Sequence, residues 1–378
     1  MKRLKIILKD EKTGGVLLLC CTLFSLLLAN SVFSESYDAL WHFHIGGHSL
    51  SHWINDALMA VFFLLVGLEL VREMHEGELS SLKTAMLPFS AALGGMIFPA
   101  CIYLLFNGGS PTQSGFGIPT ATDIAFALGV LSLLGNRVPL ALKVFLMALA
   151  VIDDLGAIVV IALFYSSSLN SLYLGLGLGV FALLLILNKK FHITNVFVYI
   201  AGGIALWYFI FNSGIHATIS GVLLAITIPI EKRSETCLSA RMQHALHIPV
   251  HFIILPLFAL TNTAISIKGD FANTLHEPFA AGIMLGLIFG KPLGIMLFSF
   301  LSVKTKLCSL PSGVKWKQLF GVGLLGGVGF TMSIFITMLA FGDNAHYTDG
   351  AKLTVLLSSL IAGIAGFLWL KVILRSAK

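Results

Sequence analysis

The chain has 378 residues, of which 57% are hydrophobic and only 11% charged, with a mean hydropathy of +0.93. A soluble domain carries about 25% charged residues, so this composition excludes a water-soluble globular protein and requires an all-α polytopic membrane protein, expected as a single membrane domain over 1–378. The net charge of +6 is spread over short connecting stretches rather than gathered in a patch, which argues against nucleic acid as a partner. The five cysteines (Cys20, Cys21, Cys101, Cys237 and Cys308) show neither metal spacing nor a framework of pairs, and no cofactor is expected.

Hydropathy predicts about twelve spans, each near the ~20 residues a bilayer needs: 14–30, 53–71, 85–106, 117–135, 139–165, 171–188, 195–211, 214–230, 247–266, 278–301, 317–341 and 351–373. The first run, Gly14 to Ala29, has no small-residue cleavage site and reads as a span rather than a removable signal.

Loop charge orients the spans. The amino-terminal segment holds Lys2, Arg3, Lys5, Lys9 and Lys12, and every second loop after it is also basic. Those loops carry Arg72 and Lys83; Arg137; Lys189 and Lys190; Lys232, Arg233 and Arg241; and Lys304, Lys306, Lys315 and Lys317, while the tail adds Lys371, Arg375 and Lys378. Together they hold 20 of the 24 Lys and Arg, and the alternate loops hold only Lys268 and Lys352. The positive-inside rule therefore predicts both termini in the cytoplasm.

The first outer loop contains Trp41-His42-Phe43-His44-Ile45-Gly46-Gly47-His48-Ser49-Leu50. Apolar and polar residues alternate on both sides of Gly-Gly, which predicts a β-hairpin over 41–50. Its open edge could pair with a second copy, giving a homodimer. His42, His44, His48 and His52 lack Cys or acids at ligand spacing, so a metal site is not expected there.

The fourth span opens with Gly117-Ile118-Pro119-Thr120-Ala121-Thr122-Asp123, and the eleventh reads Gly321-Val322-Gly323-Leu324-Leu325-Gly326-Gly327-Val328-Gly329-Phe330-Thr331. Pro119 and the glycine cluster disfavour continuous helix, and irregular backbone at membrane depth survives only against protein or a wet cavity. The two spans occupy corresponding places in the triplets three-to-five and ten-to-twelve (core repeats about 85–165 and 278–373), which enter the membrane from opposite faces. Interrupted segments in two inverted halves point to a transporter's site. Close helix packing would account for the glycines of span eleven but not for Asp123 beside Pro119.

Within the fifth span lie two adjacent acids, Asp153 and Asp154. A charge at bilayer depth costs at least roughly 2.5–3.5 kcal/mol. A purely structural ion pair needs one acid, so the pair reads as a cation or proton site. Two carboxylates this close in low dielectric cannot both ionise easily, and their titrations are coupled. Oxygen ligands suit a small hard cation, and a carboxylate can trade a proton for it. Two basic residues also lie within spans. Lys143, one turn into the fifth, snorkels to the interface. Lys291, in Gly290-Lys291-Pro292-Leu293-Gly294, sits near mid-span and needs an acid partner, Asp153 or Asp154 being at matching depth. Glu69, Arg72, Glu73, Glu76 and Glu78 gather at the end of span two, and the spacing of His244, His247 and His251 places them on one helical face.

At these residues the chain resembles the bacterial NhaA-type sodium/proton antiporters. The resemblance rests on 53–69 (WINDALMAVFFLLVGLE), 121–129 (ATDIAFALG), 152–156 (IDDLG), 213–218 (SGIHAT), 290–294 (GKPLG) and 329–335 (GFTMSIF), in family order and across essentially the whole chain. The resemblance implies an electrogenic secondary antiporter, not an enzyme, in a bacterial inner membrane. It would export Na⁺ or Li⁺ for a larger number of H⁺, serving sodium and pH homeostasis by alternating access. It makes Asp154 the principal ligand of the transported Na⁺, with Asp153 the second member, alternately bridging and releasing Lys291. It places Thr122 and Asp123 where crossed broken helices 4 and 11 meet, a carboxylate there offsetting inward-pointing positive helix ends. It links His216, Glu69, Glu73, Gln243, His244 and His247 to pH response. Gln243 stands where the family pattern has a glutamate, which departs from that pattern, and His216 also reads as a packing histidine.

Other readings differ in what they require. A symporter of an organic solute wants more aromatic and hydrogen-bonding groups at mid-span. An intramembrane aspartyl protease could pair Asp123 with Asp153 or Asp154, but it would lack its Gly-x-Gly-Asp sequence and place a cation beside the dyad. A channel is at odds with a tight, titratable site.

Overall fold

The computed structural model describes residues 11–165, 169–231, 236–267, 271–342 and 344–375. Lys2, Arg3, Lys5, Lys9, Lys232, Arg233, Lys268 and Lys378 lie outside the described residues, as do the side chains of Lys12, Glu78 and Lys83. In chain order come α1 (Glu11–Ala29), α2 (Ser34–His42), a hairpin of β1 (His44–Ile45) and β2 (His48–Ser49), α3 (Leu50–Glu76) and α4 (Leu82–Asn107). A 3₁₀ stretch (Gln113–Thr120) then leads to α5 (Ile124–Ser132), α6 (Leu140–Phe164), α7 (Ser171–Lys189), α8 (Val196–Phe211) and α9 (Ile219–Thr227). The remainder is α10 (Leu238–Asn262), α11 (Pro278–Lys304), α12 (Trp316–Gly326), α13 (Phe330–Phe341) and α14 (Ala345–Arg375).

Among the described residues, eight stretches are long and apolar enough to cross a bilayer, or ten if two bent pairs each count as one span. The bent pairs are 13–29 with 34–42, at 115°, and 316–326 with 330–341, at 45°. The expected eighth span, 214–230, contains only the nine helical residues of α9. Gly214 has φ +85°, and residues 212–218 run as turns in which Ser220 and Gly221 donate to the carbonyls of Ala217 and Thr218. An apolar window does not distinguish such turns from helix.

The chain divides into two compact units: 1–38 with 81–157 and 262–378, and 39–80 with 158–261. Within the first unit, α4 and α11 pack backbone to backbone. Gly282, Gly286, Gly290 and Gly294 form a stripe along α11. A Cβ at Gly294 would lie 2.1 Å from the carbonyl oxygen of Gly94, and one at Gly286 2.7 Å from Pro119 Cβ. Small residues permit this approach, and dispersion between close backbones holds helices together where lipid offers no hydrophobic driving force.

Two helices contain a wide π turn just before a proline. In α11 it covers Gly286–Gly290 with Pro292 following, and in α10 Val250–Ile254 with Pro256 following. A proline in regular α-helix clashes with the carbonyl four residues back. That carbonyl (residue 288 or 252) lies inside the widened turn in each case, which relieves the clash. The α11 turn delivers Lys291.

In the second unit, Leu64, Leu68, Tyr199, Leu206, Leu224 and Met242 are part of one buried cluster. Here α3 and α9 approach closely, since a Cβ at Gly221 would lie 2.1 Å from the Ala60 carbonyl oxygen. The hairpin pairs His44 with Ser49 and Ile45 with His48. Gly46 and Gly47 have φ of +61° and +92°, as a tight primed turn demands. The hairpin is shorter than the expected 41–50. Trp41 and His42 belong to α2, Leu50 starts the next helix, and Ser49 caps that helix by accepting from the His52 N–H.

Candidate functional site: a buried acid–lysine cluster between two broken helices

The site lies in the first unit, where two interruptions meet. After the 3₁₀ stretch the backbone at Ala121 and Asp123 is extended, and α5 starts at Ile124. Between α12 and α13 the chain turns at 327–329. Each interruption strands backbone N–H and C=O groups that must find partners in the protein. Residues from the opposite interruption and from neighbouring helices supply them.

Asp123 caps two helices. Its Oδ1 accepts from the Phe126 N–H at 2.9 Å, the usual N-cap bond for α5. Its Oδ2 accepts from the Thr331 N–H at 3.1 Å and the Thr331 hydroxyl at 2.5 Å, at the start of α13. The residue preceding α13, Gly329, has no side chain to provide a cap. One carboxylate, 2% exposed, therefore faces the positive ends of both half-helices. The opposite ends are satisfied as well: the Asp123 N–H donates to the Val328 carbonyl at 2.7 Å, and Ser333 Oγ donates to the Ile118 carbonyl at 2.7 Å.

Asp153 and Asp154 project from α6 and are 0% and 1% exposed. Lys291, also fully buried, places Nζ 2.7 Å from Asp153 Oδ2 and donates to the Thr120 carbonyl at the end of the 3₁₀ stretch. Asp154 lies within electrostatic reach of the same ammonium. Thr122 Oγ1 stands 2.7 Å from Asp153 Oδ2 and 2.8 Å from the Gly326 carbonyl. A hydroxyl has one proton, so Thr122 can serve only one of these acceptors at a time. Asp153 Oδ1 is buried with no hydrogen-bond partner among the described residues. The stem of Lys291 passes between glycines, since a Cβ at Gly95 would lie 3.7 Å from its Cε and one at Gly326 4.0 Å from it. Two carboxylates and one ammonium in a buried cluster leave one negative charge uncompensated when all are ionised. Such a cluster has the oxygen donors and the charge to accept one monovalent cation or one proton.

The structure thus brings together Thr122, Asp123, Asp153, Asp154 and Lys291. Thr331 and the Thr120 carbonyl join them, and the sequence reading missed both as site groups. The signal for Thr331 was present: a helix starting at Phe330 after Gly329 has no local cap, so an acid elsewhere must supply it.

The residues linked to pH response lie in the second unit. Glu69 and Glu73 are half-buried on α3, and Arg72 Nη1 donates to the buried Gln243 Oε1 at 3.3 Å. His247 stacks on His251 with ring centroids 4.4 Å apart, whereas His244 is exposed. His216 hydrogen-bonds the Tyr165 backbone and lies within electrostatic reach of Asp56. Asp56 in turn pairs with His52 at 3.1 Å, and His52 stacks on His48. Asp56 was not among the expected site residues, although its i+4 spacing from His52 on one helix was visible.

The Na⁺/H⁺ antiporter 1 family model matches residues 5–370. Curated relatives include Na⁺/H⁺ antiporter NhaA proteins of Cytophaga hutchinsonii, 55% identical over 98% of this chain and 95% of that protein, and of Flavobacterium psychrophilum, 55% identical over 97% and 95%. The like-named protein of Dechloromonas aromatica is 54% identical over 96% of this chain and 93% of its own length.

Proposed function

The chain belongs to the Na⁺/H⁺ antiporter 1 family, and we propose that its Na⁺/H⁺ exchange runs through the Asp153–Asp154–Lys291 cluster, where cation and proton compete. It is a multi-pass bacterial membrane transporter, not an enzyme. The observation that carries the site assignment is the fully buried Lys291–Asp153 pair at 2.7 Å with Asp154 alongside. Lys291 compensates one carboxylate, leaving the other to hold H⁺ or Na⁺, so arrival of one expels the other.

Exchange of one proton for one Na⁺ at Asp154 moves no net charge. Electrogenic exchange, with more protons than sodium, requires a second group to lose its proton in the cation-loaded state. In the Asp153–Lys291 ion pair that proton sits on Lys291; when Asp153 turns to the cation, the buried ammonium loses its counter-charge and releases its proton, so one Na⁺ bound displaces two H⁺. Thr122 helps because its single hydroxyl proton can leave Asp153 for the Gly326 carbonyl, coupling the charge on α6 to the break after α12. The two interruptions support alternating access through about twelve spans and inverted repeats. The alternation of basic loops supports an inner-membrane orientation with both termini cytoplasmic. Li⁺, equally hard and monovalent, fits the same oxygen donors. The exposed Phe43 and Ile45 of the hairpin support a homodimer through strand addition.

The test is proton movement in inside-out vesicles holding a proton gradient, comparing wild type with Asp154→Asn. Na⁺ is expected to collapse the gradient in wild type only. Collapse in both places the ligand elsewhere, and no response at any pH from about 6 to 9 rejects exchange itself.

A further inference from the structure

A groove in the first unit lies outside the machinery described above. Its larger part has a volume of about 270 Å³ and is lined by Leu23, Leu26, Phe126, Phe330, Leu357 and Ser359, among others. A smaller part of about 50 Å³ continues it past Gly15, Val16 and Leu133, and the two share Leu19 and Phe126. The lining is apolar except for two hydroxyls, both engaged with backbone: Thr22 donates to the Leu18 carbonyl at 2.9 Å, and Ser359 accepts from the Phe330 N–H at 3.0 Å. The floor is buried while the rim is open, Leu23 being 60% and Leu360 51% exposed.

We propose that this groove holds one acyl chain of an anionic phospholipid, with the headgroup on Arg137. Three observations identify the occupant. Along α1 the groove runs from Gly15 to Leu26, about 16 Å at helical rise, or roughly half the ~30 Å hydrocarbon core and so the depth of one leaflet. The exposed rim lies on a chain whose surroundings are hydrocarbon. At the Leu133 end the chain turns at once into Gly135–Arg137, with Arg137 exposed, and between Ile124 and Ile152 it carries Arg137 and Lys143 but no acid. A tail of leaflet length beneath a cationic headgroup contact fits an anionic phospholipid rather than a zwitterionic one.

The groove's floor gives the lipid a place in the exchange mechanism. Phe126 and Phe330 stand in the first turns of the two half-helices that Asp123 caps, with ring centroids 5.8 Å apart. An acyl chain against them fills the space into which those turns would otherwise relax.

The experiment uses the full chain in vesicles of phosphatidylethanolamine and phosphatidylglycerol, with a trace of either lipid carrying a photoreactive group in its acyl chain. Labelled residues are mapped by mass spectrometry. Phosphatidylglycerol is expected to label the groove lining, at Leu23 and Leu357, roughly fivefold more than phosphatidylethanolamine, the preference one Arg near the surface provides. Arg137→Gln should level that preference, and Leu357→Trp, which fills the groove, should remove the label from the groove. Leu105 and Phe106, exposed on α4, should label as in wild type in both variants and so report a folded protein. Equal labelling by the two headgroups in wild type, groove labelling that survives Leu357→Trp, or a cross-link to a second copy in its place overturns the proposal. The labelling needs no ion exchange, so its outcome is independent of the transport assay.

Discussion

Removing the Lys291 ammonium without removing Asp153 should destabilise the protein more than removing both. The pair stands at 2.7 Å with both side chains fully buried. Coulomb attraction at that distance is about 6 kcal/mol at an effective dielectric of ~20, and the desolvation of both ions offsets much of it. Truncating one partner of such a pair costs about 3–5 kcal/mol because the survivor is left as an uncompensated buried charge, whereas replacing both with neutral groups is often close to neutral. Asp153 Oδ1 has no hydrogen-bond partner among the described residues, so in Lys291→Met the Thr122 hydroxyl is the partner left to the carboxylate among them. Lys291→Met and Asp153→Asn should each lower the thermal midpoint in detergent, at roughly 2–4 °C per kcal/mol as for larger soluble domains. The double variant should recover most of the loss. The readout is the double-mutant coupling from melts of the purified protein at one pH and salt concentration. Additive losses, or a Lys291→Met variant as stable as wild type, would refute the reasoning that the two charges answer each other.

Other expectations rest on the same geometry. Asp123→Ala removes caps from two helices at once, about 1 kcal/mol each, so amide exchange at Phe126 and Thr331 should rise together; a rise at Phe126 alone breaks the shared-cap argument. Gly294→Val puts a Cβ within 2.1 Å of the Gly94 carbonyl oxygen and should abolish exchange or folded yield, whereas Gly175→Ala, with nothing within 4 Å of the new carbon, should leave both unchanged. For the homodimer proposed through the hairpin, Ile45→Lys, charging its exposed edge, should give monomer in light scattering where wild type gives dimer; a wild-type monomer rejects the proposed dimer, and a dimer in both moves the interface elsewhere.

The features legible in the sequence were those set by the cost of charge in hydrocarbon. Asp153, Asp154 and Lys291 stand out because each is expensive where hydropathy puts it, and their ion pair is implied by shared depth. Pro119 and the glycines around 321–329 marked both interruptions, since they forbid continuous helix. The pairing of one group with another could not be read. Asp123 and Thr331 are 208 residues apart, and their contact exists only because two breaks meet in space. The Thr120 carbonyl became a Lys291 partner for the same reason, and a backbone oxygen leaves no mark in sequence. The window 214–230 misled in the other direction. Its apolar residues, from Ile219 on, raised the average over the polar turns at 212–218, and hydropathy does not report backbone geometry. His52 and Asp56 went unconnected because loop and span were read separately, although one helix carries both.

The π turn at Gly286–Gly290 determines the azimuth at which α11 points its ammonium. A wide turn holds one residue more than a regular one, and each residue advances the helix by about 100° around its axis. Making that turn regular without changing the number of residues would swing Lys291 more than a quarter-circle away from Asp153, whereas deleting the extra residue would leave it in phase. In the first case no charge would be lost and no span shortened below bilayer length, but the cluster would be disassembled by phase alone. The widened turn therefore acts as a registration mark, tying the identity of the residue opposite α6 to the count of residues before it.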